Sequence, residues 1–326
     1  MPSVKVKLDS EWEEVWAVAS QTAREPEFND AFDIREATNE ALATLAHLIP
    51  VAEGIEETKF TYPSLDGTDV AIHRFAPPCA ASTQHEGSQR AIVFVFGGAM
   101  VAGSIESWRP FIRDLAATTE SQVFAVHYRL APEYRAPGAV EDVYAGVQWL
   151  QAEAPSFNVD PKRIVLHGVS AGGGISAGVA LMARDKGLQH PISAMLLCYP
   201  MLDDRTVVPA DHPHQPYFAY ASHTNDIAWK AVLGRDREDR TDENVPIHAA
   251  PGRAKDLSGL PDTFIDAAGL DLLRDEAIAF ATKLAADGNF VEFHLYPGVS
   301  HGFDHVRHMR VTKEAISNRR KFLLRY

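Results

Sequence analysis

Length, composition and charge limit the classes of protein that this chain can belong to. Its 326 residues are 46% hydrophobic and 23% charged, which suits one large α/β domain with or without a cap. A net charge of −13 argues against nucleic acids and anionic membrane surfaces as partners. No apolar run reaches the ~18 residues of a membrane-spanning helix. With only two cysteines and no apolar signal core near the N-terminus, we expect a cytoplasmic protein without disulfides.

The hydrophobic pattern predicts strands that alternate with helices along most of the chain. Predicted strands cover residues 59–62, 69–75, 91–96, 122–127, 164–166, 192–199, 263–267 and 291–296. Predicted helices cover residues 10–24, 33–48, 108–118, 140–152, 226–233, 275–286 and 309–324, with another from Ala171 onward. A polar loop is predicted at 76–89 and a turn at 158–163. This order predicts an α/β fold with a mostly parallel central sheet flanked by helices.

The alternation breaks down between about residues 202 and 256, which are rich in Pro, His and Asp. We interpret this stretch as an insertion that folds over the functional site together with the N-terminal helices. The predicted domains are therefore cap helices at 1–56, a core at 57–201 and 257–326, and a cap insertion at 202–256.

One pentapeptide, Gly168-Val169-Ser170-Ala171-Gly172, lies between a predicted buried strand and a predicted helix. Small residues on both sides of a serine allow a tight strand-to-helix turn that exposes the hydroxyl at the start of a helix. The helix N-terminus favours developing negative charge. The five residues alone are also compatible with an ordinary turn, but the flanking strand and helix favour Ser170 as a nucleophile.

A serine nucleophile needs a general base and an acid to orient it. On turns of this kind, the acid and then the histidine follow the serine along the chain, after late strands. His301 follows the last predicted strand in a glycine-flanked position, and Asp271 follows the strand before it. Asp266 falls inside that strand, and Asp275 and Glu276 open a helix where we expect solvated acids. Ser170, Asp271 and His301 are therefore the predicted catalytic residues.

The tetrahedral intermediate of such a reaction needs hydrogen-bond donors for its oxyanion. Gly97 and Gly98 follow the strand at 91–96, and Ala171 follows the nucleophile, so their backbone N–H groups are the candidates. The alternative for the glycine pair is a flexible turn.

Several motifs together make the chain resemble the hormone-sensitive-lipase branch of the α/β-hydrolases, also called bacterial family IV esterases. They are the glycine pair at Gly97, Tyr128-Arg-Leu-Ala-Pro-Glu133, Val159-Asp-Pro-Lys-Arg163, Ser170-Ala-Gly-Gly173, Asp271-Leu-Leu-Arg-Asp-Glu276 and His301-Gly-Phe303. The resemblance implies an α/β-hydrolase fold with a helical cap, the same triad and oxyanion donors, and hydrolysis of short-chain carboxylic esters. Relatives often pair through the edge strand, here near 291–296, so a homodimer is also implied.

The sequence departs from the family motif around the oxyanion loop. Phe96 and Ala99 stand where the family has the first histidine and the third glycine of His-Gly-Gly-Gly, and Val169 stands where it has an acidic residue. Leu272 replaces a proline, a change that we interpret as minor. The lost histidine normally braces the loop, so either an apolar contact of Phe96 with Val169 compensates, or the activity is weak or specialised.

Three functions remain open from the sequence. The first is a serine carboxylesterase that hydrolyses short-chain or small apolar or aromatic esters through an acyl-enzyme on Ser170. The others are a lyase or cyclase of secondary metabolism on the same triad, and a ligand-binding receptor on a hydrolase fold. Predicted substrate contacts, of which Tyr217 and Phe218 could equally be cap packing, are Phe96, Met100, Tyr217, Phe218 and Phe303. Clustered histidines at 212, 214, 301, 305 and 308 lack the further ligands of a zinc site, so no metal or other cofactor is expected.

Overall fold

The computed structural model describes residues 6–22, 28–78, 89–209 and 211–326. Within them, eight α-helices alternate with eight strands. The helices are α1 (Ser10–Thr22), α2 (Ala31–Ala46), α3 (Ile105–Thr119), α4 (Gly138–Glu153), α5 (Ala171–Lys186), α6 (Ser222–Leu233), α7 (Arg274–Ala286) and α8 (Arg310–Leu323). The strands are β1 (Glu56–Pro63), β2 (Asp69–Ala76), β3 (Gln89–Val95), β4 (Gln122–His127), β5 (Val159–Val169), β6 (Ala194–Cys198), β7 (Asp262–Leu270) and β8 (Val291–Ser300). Residues 23–24 of the first predicted helix and 79–88 of the predicted polar loop lie outside the described residues.

The strands form one sheet in the order β1-β2-β4-β3-β5-β6-β7-β8. Only the pairs β1–β2 and β2–β4 are antiparallel, and all other neighbours are parallel. The predicted α/β class with a mostly parallel sheet is therefore confirmed. Parallel strands all present their carboxyl ends at one edge, where ligands bind in folds of this type.

The central strands form the core. Every residue of β6 is buried, as are the last five of β3. Burial on both faces requires helices on both sides of the sheet, which explains why these strands are continuous apolar runs rather than alternating patterns. The covering helices pack in pairs, α4 against α5 and α3 against α8. In the described residues, no helix is long and apolar enough to cross a membrane.

Two boundaries differ from the sequence-based expectation in ways that affect the site. Most of the predicted turn at 158–163 belongs to β5, because Val159 pairs with Gln89 and a register shift absorbs the extra residues before Ile164 pairs with Ala91. The strands β7 and β8 also continue past their apolar runs, to Leu270 and Ser300. Strand pairing, rather than apolarity, sets where these strands end.

The N-terminal helices and the insertion lie together over the core. Helix α2 packs against both α3 and α6, and so joins the first segment to the insertion. The segment before α1 docks on the last strand, where the Asp9 N–H donates to the Gly298 carbonyl at 3.0 Å. The exact domain boundaries at 57, 202 and 257 stay predictions.

Candidate active site

Ser170 occupies the turn between β5 and α5 with φ 55° and ψ −120°, a strained conformation for a residue with a side chain. Its neighbours have no room for side chains. A Cβ on Gly168 would lie 2.1 Å from the Gly172 carbonyl oxygen, and a Cβ on Gly172 would lie 2.0 Å from that of Val95. The glycines are therefore required by the close passage of strand and helix, and the serine is held at the carboxyl end of β5.

The meeting of Asp271 and His301 follows from strand pairing. The parallel neighbours β7 and β8 end with Leu270 opposite Ser300, so the next residues on the two strands are Asp271 and His301. A bulge on β8 after the pair Ala268–Tyr296 sets this register. The bulge brings backbone so close to Gly269 that a Cβ there would lie 3.0 Å from the Tyr296 carbonyl oxygen.

The three predicted catalytic side chains form one hydrogen-bonded line. His301 Nδ1 lies 2.7 Å from Asp271 Oδ2, and His301 Nε2 lies 2.9 Å from Ser170 Oγ. The buried Asp271 carboxylate also accepts the Leu273 N–H at 3.0 Å through Oδ1. A carboxylate on Nδ1 favours the tautomer with the proton on that nitrogen, which leaves Nε2 to accept the serine proton.

The glycine pair forms a loop pressed against the nucleophile. A Cβ on Gly97 would lie 3.1 Å from the Ser170 Cβ and 2.9 Å from the Val169 carbonyl oxygen. Gly98 has φ +135°, and a Cβ there would lie 2.2 Å from the Ala102 carbonyl oxygen. The Gly98 carbonyl accepts the N–H groups of Val101 and Ala102 at 3.0 and 2.9 Å. This tight, hydrogen-bonded turn does not match the alternative of a flexible loop.

Phe96 stands where the family motif has its histidine, and Tyr128 braces the loop by contacting Phe96. The ring of Phe96 is fully buried and stacks on that of Tyr128, with centroids 4.2 Å apart and planes 19° apart. The Tyr128 hydroxyl donates to the Phe96 carbonyl oxygen at 2.9 Å. Tyr128, one strand away, thus supplies a contact to the loop that the sequence analysis did not anticipate, and the contact of Phe96 with Val169 stays a prediction.

A cavity of about 590 Å³ opens above Ser170. Its walls come from the catalytic turns, from α2 and from the segment at 218–224. The lining residues are Phe28, Ala37, Thr38, Ala41, Leu42, Leu45, Gly97, Gly98, Ala99, Trp108, Val169, Ser170, Tyr199, Phe218, Ala219, Tyr220, Ala221, His223, Thr224, His301, Gly302 and His305. In the described part of the chain, no Asp, Glu, Lys or Arg lines this cavity, so its surface is apolar and aromatic with histidines as its titratable nitrogen groups.

Of the five predicted substrate contacts, the cavity wall includes Phe218 and not the other four. Phe96 lies under the loop on Tyr128, and Met100 lines a separate void of only about 10 Å³. Tyr217 packs on Trp16, with centroids 6.3 Å apart, and the buried Phe303 packs between Tyr199 and Tyr296. These four side chains do not line the cavity, because closeness along the chain does not fix the direction of a side chain, and their contact with substrate stays a prediction.

Tyr199 is a site residue that the sequence analysis missed. Its ring lies edge-on to the His301 ring with centroids 4.6 Å apart, and its hydroxyl donates to Asp304 Oδ1 at 2.6 Å. Its place at the sheet edge that carries Ser170 could have been inferred, because it is the last residue of the strand predicted at 192–199. The structure adds that its φ is 34°.

The Tyr199 hydroxyl is bonded to a buried ion network formed by Asp304, Arg319 and Asp266. Arg319 donates to Asp266 Oδ2 at 2.6 Å and also bonds Asp304. Burial raises the pKa of Asp266. At Asp304 burial also acts to raise the pKa, but Arg319, His305 and the Tyr199 hydroxyl together outweigh it, and the pKa falls below its usual range. Asp266 is thus a structural acid, in agreement with its exclusion as the catalytic one.

Glu276 is not the solvated helix acid that we expected. It is buried, and its Oε1 accepts the Leu202 N–H at 2.6 Å while Oε2 accepts the Thr206 hydroxyl. Burial raises the pKa of this carboxyl well above its usual value. Glu276 therefore ties the start of the insertion to the helix that follows Asp271, and the expectation was wrong because the insertion packs over the first turn of α7.

No group of three or more His, Cys, Asp or Glu side chains with the geometry of a metal site occurs among the described residues. The groups assembled around the cavity are those of proton transfer and nucleophilic attack, namely a hydroxyl, an imidazole and a carboxylate.

The sequence and structure comparisons agree with this fold. Residues 92–305 match a family model described as the alpha/beta hydrolase fold. The carboxylesterase NlhH of Mycobacterium tuberculosis is 34% identical over 276 residues, which cover 84% of this chain and 82% of that protein. Esterase LipI of the same species is 30% identical over 300 residues, which cover 85% and 91%. A solved bacterial heroin esterase superposes with a TM-score of 0.84 at 33% identity and 98% coverage of both chains.

This chain belongs to the α/β-hydrolase family, in its hormone-sensitive-lipase-like branch. It is a carboxylic ester hydrolase, like the relatives that match 84% and 85% of its length.

Proposed function

We propose that the protein is a serine carboxylesterase that works through an acyl-enzyme on Ser170. In the first half-reaction, the Ser170 oxygen attacks the ester carbonyl carbon while His301 Nε2 takes the hydroxyl proton. The intermediate collapses as His301 returns that proton to the leaving alcohol. Water, deprotonated by the same imidazole, then attacks the acyl-enzyme and releases the acid and the free serine.

The observation that carries this proposal is the position of His301, within hydrogen-bond distance of both Asp271 and Ser170. Asp271 holds the imidazole in one tautomer and stabilises the imidazolium that forms during attack. Because a complete base and acid pair faces the hydroxyl, turnover is favoured over the stoichiometric capture expected of a receptor on this fold.

The proposed oxyanion donors are the N–H groups of Gly97, Gly98 and Ala171. The close approach of Gly97 to Ser170 supports this assignment, since a donor must lie near the oxygen that develops charge. Ala171 opens α5, where the first N–H groups of the helix have no carbonyl partner within it.

The proposed substrates are uncharged esters with short acyl chains or small apolar or aromatic groups. Among the described lining residues there is no carboxylate, ammonium or guanidinium group, so the cavity offers no permanently charged partner to a charged substrate, and burying an unpaired charge is costly. Phe218 is the proposed aromatic contact. A cytoplasmic location and a homodimer through β8 stay predictions of the sequence.

The test is hydrolysis of aryl esters of increasing acyl length by the wild type and by Ser170→Ala, followed by mass detection of a phosphonate adduct on Ser170. We expect Ser170→Ala to lose about 10⁴-fold or more of kcat and to take up no phosphonate. The matched control is Ser176→Ala, which removes a buried hydroxyl from α5 away from the cavity. Turnover retained in the folded Ser170→Ala variant, or release of products without incorporation of water, would contradict the mechanism.

A further inference from the structure

Ser300, the last residue of β8, directly precedes His301 and is fully buried. The N-terminal helices α1 and α2 and the insertion at 202–256 are together called the cover. The Ser300 hydroxyl makes two hydrogen bonds, each to a different part of this cover. It donates to the Tyr217 carbonyl oxygen in the insertion at 2.7 Å, and it accepts the Trp12 Nε1–H of α1 at 3.2 Å. A hydroxyl has only one hydrogen to donate, so these bonds use its donor fully and join three distant segments at one atom.

Other contacts near Ser300 also join the N-terminal segment and the insertion to the end of β8. The Asp9 N–H donates to the Gly298 carbonyl oxygen, two residues before Ser300, and a Cβ on Gly298 would lie 2.3 Å from that nitrogen. Trp16 packs between the two partners, with its ring centroid 6.3 Å from Trp12 and 6.3 Å from Tyr217. The N-terminal segment and the insertion therefore meet at the end of β8.

We propose that Ser300 is a positioning residue, through which α1 and the insertion fix the imidazole of His301 between Asp271 and Ser170. This inference rests on the proposed function. After Ser300 the chain leaves the sheet, so strand pairing no longer restrains the backbone that carries His301. Ser300 itself still pairs with Leu270, and the two hydrogen bonds of its hydroxyl add a second restraint, from α1 and the insertion, at this last paired residue. Ser300 touches no reacting atom, and it acts only through the backbone of the next residue.

The consequence is that the cover contributes to catalysis as well as to binding. A base displaced by about 1 Å can cost on the order of 10²-fold in rate, because proton transfer depends on the distance between His301 Nε2 and Ser170 Oγ. Loosening the joint at Ser300 should therefore lower kcat and leave KM nearly unchanged, whereas a damaged cavity wall would change KM.

The experiment compares Ser300→Ala, Trp12→Phe and Trp16→Phe in the full chain with an uncharged short-chain aryl ester. Ser300→Ala removes both hydrogen bonds, and we expect kcat to fall by about 10- to 100-fold with KM within about threefold of wild type. Trp12→Phe keeps an aromatic ring but loses the N–H donor, and should lower kcat by about three- to tenfold. Trp16→Phe is the matched control, since Trp16 stacks in the same group without bonding Ser300, and should stay within about twofold.

A fluorophosphonate that labels Ser170 provides the second measurement. The extent of labelling gives the fraction of molecules in which Ser170 is folded and reactive. Dividing the rate by this fraction gives kcat per labelled site, which corrects for a variant that is partly unfolded. We expect the variants to reach full labelling at rates that fall in parallel with kcat. A Ser300→Ala variant with wild-type kcat per labelled site would overturn the inference. Equal losses of kcat in Trp12→Phe and Trp16→Phe would overturn the part of it that concerns α1. Wild type that turns over without labelling Ser170 would instead refute the proposed function.

Discussion

The sheet edge and the cover differ in what determines their geometry. At the sheet edge, Ser170, Asp271 and His301 each directly follow a strand, and backbone pairing between neighbouring strands fixes where each strand ends. In the cover, α2 and the segment at 218–224 reach the cavity only through side-chain packing between segments far apart in the chain. Positions fixed by the backbone can be inferred from spacing, whereas positions fixed by packing cannot.

This difference separates chemistry from selectivity. Substitutions at the sheet edge should remove turnover for every substrate, because they disturb groups that act on the ester itself. Substitutions in the part of the cover that lines the cavity should change which esters are accepted and leave the chemistry in place. The joint at Ser300 is the proposed exception, through which the cover acts on the chemistry. The predictions below test that division, from the largest expected effect to the smallest.

Asp271→Asn tests the sheet edge most directly. The amide cannot stabilise the imidazolium, and it can hold His301 in the wrong tautomer, so we expect kcat to fall by about 10³- to 10⁴-fold. The matched control is Asp275→Asn, an exposed acid on the next helix, which should stay within about twofold. The measurement is kcat for a short-chain aryl ester from steady-state kinetics. Comparable losses of kcat in both variants would contradict the role of Asp271 as the catalytic acid.

Gly98→Ala tests whether the loop geometry stabilises the oxyanion. A Cβ would lie 2.2 Å from the Ala102 carbonyl oxygen, so the loop must move away from its hydrogen-bonded turn. We expect kcat to fall by about 10²- to 10³-fold, the usual cost of a lost oxyanion donor. Gly67→Ala is the control, because that glycine also has a positive φ but has open space around it. Full activity in Gly98→Ala would show that this loop does not bind the oxyanion.

Ala37→Phe tests the cover wall. Ala37 lines the cavity from α2, so a phenyl group there should exclude bulky esters and still admit an acetate. We expect the ratio of kcat/KM for a bulky ester to that for an acetate to fall by about tenfold. Ala43→Phe, on an exposed position of the same helix, should leave the ratio unchanged. An equal loss for both esters would mean that α2 affects the chemistry as well.

Glu276→Gln tests the joint between the two regions through stability. Because burial raises the pKa of Glu276 in the fold, its stabilising contribution is complete below its unfolded pKa, about 4.5, and is lost as the pH rises through the folded value. Between pH 5 and pH 9, we expect the wild type to lose at least about 1 kcal/mol of unfolding free energy that the uncharged variant keeps. Urea unfolding at both pH values measures this, with Glu36→Gln as the exposed control. Identical pH dependence in wild type and Glu276→Gln would contradict it.

Much of the fold and the chemistry could be inferred from local pattern. The alternation of apolar strands and helices gave the α/β class, and the small residues around Ser170 marked a turn whose crowding the glycine contacts explain. Asp271 and His301 were identifiable because each follows a late strand, even though β7 and β8 continue past the apolar runs that reveal them.

The sequence by itself therefore determined the order of the elements, the family and the three residues at the strand ends. Only the tertiary structure decided that Tyr128 braces Phe96, that Glu276 is buried, that Phe303 packs between Tyr199 and Tyr296, and that Ser300 joins the cover to the site. The physical reason is that strand ends and tight turns depend on neighbours in sequence. Side-chain direction and burial depend on which distant segments pack together, and no local pattern records that choice.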